Sequence, residues 1–167
     1  MDFSGMTISG GVTIAPPPPP PPPTTKAIFG YGFTTAAVSM TNLVSNTGVV
    51  ATDTTGVGTS RSYLAAAGYG TGKAIFGYGY NSFPFGAVSM TNLVSNTGVV
   101  ATDTTGVGTA SYFLAAAGYG SDKAIFGYGT GPTAVTNLVS NTGVVATNTT
   151  GVGTARYALA AAGYSLT

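Results

Sequence analysis

The sequence contains no cysteine, histidine, tryptophan or glutamate. Without thiols there is neither a disulfide framework nor a thiolate metal site. Acid–base or nucleophilic work would fall on isolated Asp, Lys or Tyr side chains, and the spacing assembles no nucleophile–base pair. Charge of either sign is scarce: charged residues are 5% of the chain, against about a quarter in ordinary globular domains. The acids are Asp2, Asp53, Asp103 and Asp122; the cations are Lys26, Lys73, Lys123, Arg61 and Arg156. Five dispersed cations make no stripe for phosphate contacts, which argues against a nucleic-acid partner. No apolar run approaches the ~20 residues that cross a bilayer. The segment MDFSGMTISGGVTIA has no basic region leading into an apolar run, so no signal peptide is expected. The expectation is a chain that is not an enzyme, takes no cofactor or metal, and does not insert in a membrane.

What is present is a β-forming composition. Hydrophobic residues make up 44% of the chain, with Val, Thr, Tyr and Phe abundant, and this argues against disorder. Solubility must come from Thr, Ser, Asn and exposed backbone. Such a surface suits a protein that self-assembles or sits on a larger particle.

The chain repeats itself. TNLVSNTGVVATDTTGVGT occupies Thr41–Thr59 and Thr91–Thr109 unchanged, and Thr136–Thr154 with Asn148 in place of the aspartate. KAIFGYG begins at Lys26, Lys73 and Lys123, and LAAAGY begins at Leu64, Leu114 and Leu159. Three repeats follow, at about 26–72, 73–122 and 123–167. Each reads as four short strands. In KAIFGYG, alternation puts Ala27, Phe29 and Tyr31 on one face and Ile28 on the other. The TNLV and VVAT segments flank an Asn-Thr-Gly turn whose glycine accepts the positive φ of a hairpin. The Ala-rich run is too short and too hemmed by glycine for an isolated helix. In the ATDTTG loops, Asp53, Asp103 and Asn148 suit a local Asx-turn, since one carboxylate per loop is thin for a hard cation. Arg61 and Arg156 occupy equivalent places with Ser111 between them, and the reading for these arginines is an anchor between repeats.

Four strands per repeat of this length is a propeller-blade pattern. The residues resemble kelch-type blades: Leu114-Ala-Ala-Ala-Gly-Tyr-Gly followed by Lys123-Ala-Ile-Phe-Gly-Tyr-Gly129 is similar to the kelch strand pair, with Gly-Tyr-Gly replacing adjacent glycines. Gly153-Thr-Ala-Arg-Tyr-Ala-Leu159 is similar to the segment leading into it, although the kelch tryptophan is absent. The resemblance covers about 140 residues and implies an all-β propeller without implying a ligand. The repeats also look like those of structural proteins of marine bacteriophages, which would imply a virion-associated or extracellular appendage.

Three blades are too few for a ring of four to eight. The first repeat lacks the Ala-rich strand and the last lacks the strand that should follow it, so a split blade is expected. It would join Lys26, Ile28, Phe29 and Tyr31 of one chain to Ala160, Ala162 and Tyr164 of another. A head-to-tail homodimer of six blades is the favoured closure, with an open filament as the alternative. Ahead of the repeats, residues 1–15 form a candidate anchoring segment in which Met6, Ile8, Val12 and Ile14 could add a strand to a partner's sheet. Residues 16–25 hold eight prolines, Pro16–Pro23, expected as a polyproline II arm tethering the propeller to a virion or other structural protein.

The segments that differ between repeats fall after KAIFGYG. Phe33, Tyr80, Phe83 and Phe85 there are candidates for contact with a protein partner or a cell-surface glycan.

Overall fold

The computed structural model describes Thr7–Ile8, Val12–Thr13 and residues 25–164. Among these, every regular element is a β-strand. The first two strands, β1 (Thr7–Ile8) and β2 (Val12–Thr13), pair antiparallel with Ile8 opposite Val12. Ile8 and Val12 thus pair with each other. Met6, Ile14 and the proline run lie outside the described residues.

The repeats build three small antiparallel sheets with one internal plan. Sheet one holds β3 (Ala27–Phe33) and β4 (Ala37–Val44). Sheet two holds β5 (Ala65–Tyr69), β6 (Lys73–Gly77) and β9 (Thr91–Val94), in that order. Between β6 and β9 stands a separate hairpin, β7 (Tyr80–Ser82) and β8 (Phe85–Ala87). Sheet three repeats sheet two with β10 (Ala115–Tyr119), β11 (Lys123–Gly127) and β12 (Thr136–Val139). The registers coincide: Ala65 faces Gly77 in sheet two as Ala115 faces Gly127 in sheet three, and Phe76 faces Asn92 as Phe126 faces Asn137.

The fourth strand of each repeat is shorter than the sequence suggests. VVAT contributes one bridge per repeat, Val44↔Val50, Val94↔Val100 and Val139↔Val145, and the chain then touches the ladder again at Thr41↔Thr54 and Thr91↔Thr104 in the first two repeats without forming a continuous strand. The turn that precedes it is as expected. Gly48 has φ 81° and donates to the Ser45 carbonyl at 3.1 Å, and Gly98 and Gly143 repeat this at φ 85° and 87°.

The sheets pack face to face, one repeat on the next. Tyr31 of sheet one meets Phe76 of sheet two with ring centroids 5.2 Å apart, and Tyr78 meets Phe126 of sheet three at the same 5.2 Å. The glycine of KAIFG makes this possible. A Cβ on Gly77 would lie 2.6 Å from Phe126 Cζ, and one on Gly30 would lie 2.8 Å from Phe76 Cζ. One cluster of buried residues joins Tyr31 to Phe76 and Val94; a larger one joins Ile75 and Tyr78 to Leu114, Phe126 and Val139.

The alternation expected for KAIFGYG fails at its tyrosine. Tyr31, Tyr78 and Tyr128 have φ of 62°, 64° and 65°, and the β3–β4 register shifts between Gly30 and Gly32. This bulge turns the tyrosine onto the face opposite the phenylalanine. Each repeat therefore shows Phe to the repeat before it and Tyr to the repeat after it. Phe76 and Phe126 are buried, while Phe29 remains 62% exposed.

Candidate functional site

The junction between sheets one and two brings together two of the chain's few charges, Arg61 and Asp103. Arg61, in the loop after sheet one, has no exposed surface. Its Nε donates to the Tyr78 carbonyl at 2.8 Å, Nη2 to Asn92 Oδ1 at 2.6 Å and Nη1 to the Thr59 carbonyl at 3.2 Å. The guanidinium also lies 4.3 Å over the Tyr31 ring and 3.7 Å from Asp103 Oδ1. A planar cation with five donors suits this mixture of carbonyl, amide and carboxylate acceptors. Burial lowers the Arg61 pKa, against the charge of Tyr31 and Asp103. Arg61 thus anchors sheet one to sheet two, in the manner expected of an inter-repeat residue.

Asp103 answers it from the second repeat. Thr59 donates to its carboxylate through the backbone N–H at 2.9 Å and through Oγ1 at 2.6 Å, and Asn92 Nδ2 donates at 2.9 Å. Burial opposes the carboxylate's charge, but these hydrogen bonds and Arg61 outweigh it and hold its pKa below the usual value. The expected local Asx-turn is therefore corrected: Asp103 accepts from the preceding repeat, and Asn148 does the same, taking the Thr109 N–H at 3.1 Å. A side chain two residues from a turn can reach either way, and spacing does not reveal that the sheets stack here.

The second junction has the same frame with the charges deleted. Ser111 stands at the place of Arg61, and Asn148 at the place of Asp103. A cavity of about 300 Å³ remains there, lined by Tyr78, Ser111, Leu114, Tyr128 and Asn137 among others. Tyr78, Tyr128 and Asn137 are the counterparts of Tyr31, Tyr78 and Asn92, which surround Arg61. The double substitution S111R/N148D should fill the cavity with a matched pair and raise stability by about 1 kcal/mol, whereas S111R alone adds a buried charge facing a neutral amide. Urea denaturation of both variants would check this; equal stability of the single and double variants would count against the matched-pair account.

Both halves of this junction recur on the outer sheets. Arg156 is exposed, yet its guanidinium already lies 4.3 Å over Tyr128, with Nη1 donating to the Thr154 carbonyl at 3.2 Å. These are the intra-repeat contacts of Arg61. At the other end, Asn42 Nδ2 donates to Asp53 Oδ1 at 2.8 Å and to the Ala51 carbonyl at 3.1 Å, as Asn92 does to Asp103 and Ala101.

The residues singled out for strand exchange are placed as follows. Among the described residues, β3 pairs only with β4, so the edge formed by Ile28, Phe29 and Tyr31 lacks the Ala-rich neighbour that β6 and β11 have. Lys26 is exposed just ahead of it. Ala160, Ala162 and Tyr164 are exposed and outside any strand, with Tyr164 at 89%. Gly163 nonetheless stacks on β10, since a Cβ there would lie 2.7 Å from the Gly118 carbonyl oxygen.

The variable-loop aromatics are brought only partly together. Phe83 and Phe85 project from the β7–β8 hairpin at 89% and 78% exposure. Tyr80 lies at its base, half-buried against Tyr112 with ring centroids 5.0 Å apart. Phe33 is exposed at the end of β3, and the adjoining turn reaches the hairpin where Ala37 N–H donates to Ser82 Oγ at 3.4 Å. Tyr63, Tyr112, Phe113 and Tyr157 form a further ladder with ring centroids 4.4 to 6.3 Å apart, and of these only Tyr157 lies in a segment the sequence marked. They fall one or two residues before the LAAAGY blocks, and that recurrence was the signal.

No protein-family model and no curated protein sequence matches this chain.

Proposed function

We propose that this chain is a non-enzymatic structural protein of a virion or other extracellular appendage. Its repeats serve as kelch-like propeller blades, the ring is completed by a second chain in a head-to-tail pair of six blades, and residues 1–25 tether it to a structural partner. The carrying observation is the junction. The chain forms it in full at Arg61, and its two halves stand preformed and exposed at Arg156 and at Asn42–Asp53. Among the described residues the outer edge of β3 is open, and residues 160–164 repeat the Ala-rich sequence that pairs with β6 and β11 at that edge; both support the same reading, because an open sheet edge is a template for another chain. The near absence of charge fits a surface that remains soluble through Thr, Ser and Asn while it assembles.

Mass in solution tests the assembly. A species of twice the chain mass is expected; a ladder of larger masses would replace the ring by a filament, and a single-chain mass would overturn the assembly. Deleting residues 1–25 should leave that mass ratio intact and abolish attachment to the particle. Attachment that survives the deletion would sink the tether.

A second reading is a carbohydrate- or receptor-binding module, favoured by the exposed Phe83 and Phe85 and by the buried Asn81 beside them, whose Oδ1 lacks a partner. Aromatic faces of this kind stack on sugar rings. A glycan array read with the wild type and with F83A/F85A separates the readings. Binding lost in the variant supports the module, and absence of any wild-type binding removes it.

A further inference from the structure

The arginine and its acceptor change together from junction to junction. Where Arg61 stands after the first repeat, the acceptor in the next repeat is Asp103. Where Ser111 stands after the second, the acceptor is Asn148, and both members are neutral. The remaining members of these two equivalent sets are Arg156 and Asp53, again a cation and an anion. Within the described residues each is on an outer sheet, and the two internal junctions are already matched in charge.

We infer that Arg156 of one copy pairs with Asp53 of a second copy, in a head-to-tail junction that reproduces the one built around Arg61. This rests on the proposed self-association and gives it a surface and a register. Arg156 Nε donates to the Tyr31 carbonyl of the second copy, and Nη2 to Asn42 Oδ1, as Arg61 does to Tyr78 and Asn92. Thr154 donates to Asp53 as Thr59 donates to Asp103. The guanidinium needs little rearrangement, since its stacking on Tyr128 matches that of Arg61 on Tyr31 to within the same 4.3 Å. Such preorganisation reduces the ordering cost of association.

The apolar surfaces agree with this docking. Phe29, 62% exposed, takes the place over Gly127 and Tyr128 that Phe76 takes over Gly30 and Tyr31. Leu138, 38% exposed, meets Gly48, around which a Cβ would have open space, as Leu43 meets Gly98. Residues 160–164 pair with the edge of β3, placing Ala160 opposite Gly30 and Tyr164 opposite Lys26, the register of Ala65 with Gly77 and of Tyr69 with Lys73. Phenylalanine, leucine, arginine and strand edge all point to the same occupant, a second copy of this chain. A contact in which one surface meets a different surface propagates or closes by rotation alone.

A cross-complementation experiment on the full chain tests the inference, read as the association constant by sedimentation equilibrium. R156S and D53N should each weaken self-association by at least about 100-fold, because each leaves one charge without its partner at a contact that buries the guanidinium, and a closed pair of chains holds that contact twice. Both residues are exposed in the single chain, so the circular dichroism spectrum and melting temperature of dissociated R156S or D53N should match those of dissociated wild type. Mixing the two variants should restore association. One contact then regains Arg156 with Asp53, and the other becomes serine with asparagine, the combination present at Ser111 and Asn148. Single variants that associate as tightly as wild type, or a mixture no tighter than its components, would overturn the Arg156–Asp53 junction while leaving self-association standing. A wild-type chain that stays at single-chain mass would overturn both.

Discussion

Replacing Arg61 by serine lowers the unfolding free energy by about 3 kcal/mol, because the substitution strands buried acceptors as well as removing a charge. The Tyr78 carbonyl and Asn92 Oδ1 lose their donors, and Asp103 loses its cation. The direct ion pair is the smaller part, since the Asp103 side chain keeps 29% of its surface and water screens it. Chemical denaturation measures the loss, and R61S/D103N measures its origin. The double variant copies the neutral pair of Ser111 and Asn148, so it should recover part of the stability that R61S loses. A double variant less stable than R61S would refute this account. The response to acid carries the same sign. The Asp103 pKa is depressed in the fold, so its contribution is complete above the usual carboxylate value of 3.8 and is lost as pH falls through the lower folded value. R61S removes one of the causes of that depression and should flatten the acid limb of the stability curve. Because repeat arrays couple through neighbouring interfaces, the damage should be local. Hydrogen exchange in β3 and β4 should accelerate before exchange in sheet three.

Truncating Phe126 to alanine costs about 3–5 kcal/mol. Its ring is fully buried between sheets two and three, with one face on Gly77 and an edge against Tyr78. Neither sheet can close the gap without losing the register that the Ala-rich strands impose on both. The identical truncation at Phe29 provides the control. Phe29 occupies the same repeat position but is 62% exposed, so in the dissociated chain F29A should change stability by no more than about 0.5 kcal/mol. Urea midpoints of the two variants make the comparison. Equal losses at the two positions would contradict the face-to-face stacking of sheets.

The sequence was legible wherever information is local. The threefold recurrence, the all-β class and the Asn-Thr-Gly turns follow from identities, β-branched composition and the need for positive φ at Gly48, Gly98 and Gly143, although each later sheet takes its Ala-rich strand from the preceding repeat. The unequal places of Arg61, Ser111 and Arg156 were also readable, as was an anchoring role between repeats, which the fold realises at Arg61 while Arg156 touches only its own repeat. What Arg61 holds was not. Apart from the Thr59 carbonyl, the acceptors of Arg61 come from residues 17 to 42 positions away in the next repeat, and no periodicity within one repeat encodes that separation. The placement of Tyr31 failed for a related reason. A period-2 reading assumes an unbroken pleat, and the left-handed backbone at the tyrosine breaks it at a point where the string KAIFGYG alternates without fault.

By itself, then, the sequence determined the unit: an all-β repeat, three times over, with glycine-bearing turns and a nearly uncharged surface, because each of these depends on neighbours a few residues apart. Only the tertiary structure decided what each unit does to the next. Stacking the sheets turned a glycine and a phenylalanine into a socket and its plug, and brought Arg61, buried, against the partly exposed Asp103. It also separated Arg156 and Asp53, which resemble their counterparts residue for residue, by leaving each on an outer sheet. Burial and partnership belong to the packing of one repeat on another, and the chain carries no local mark of them.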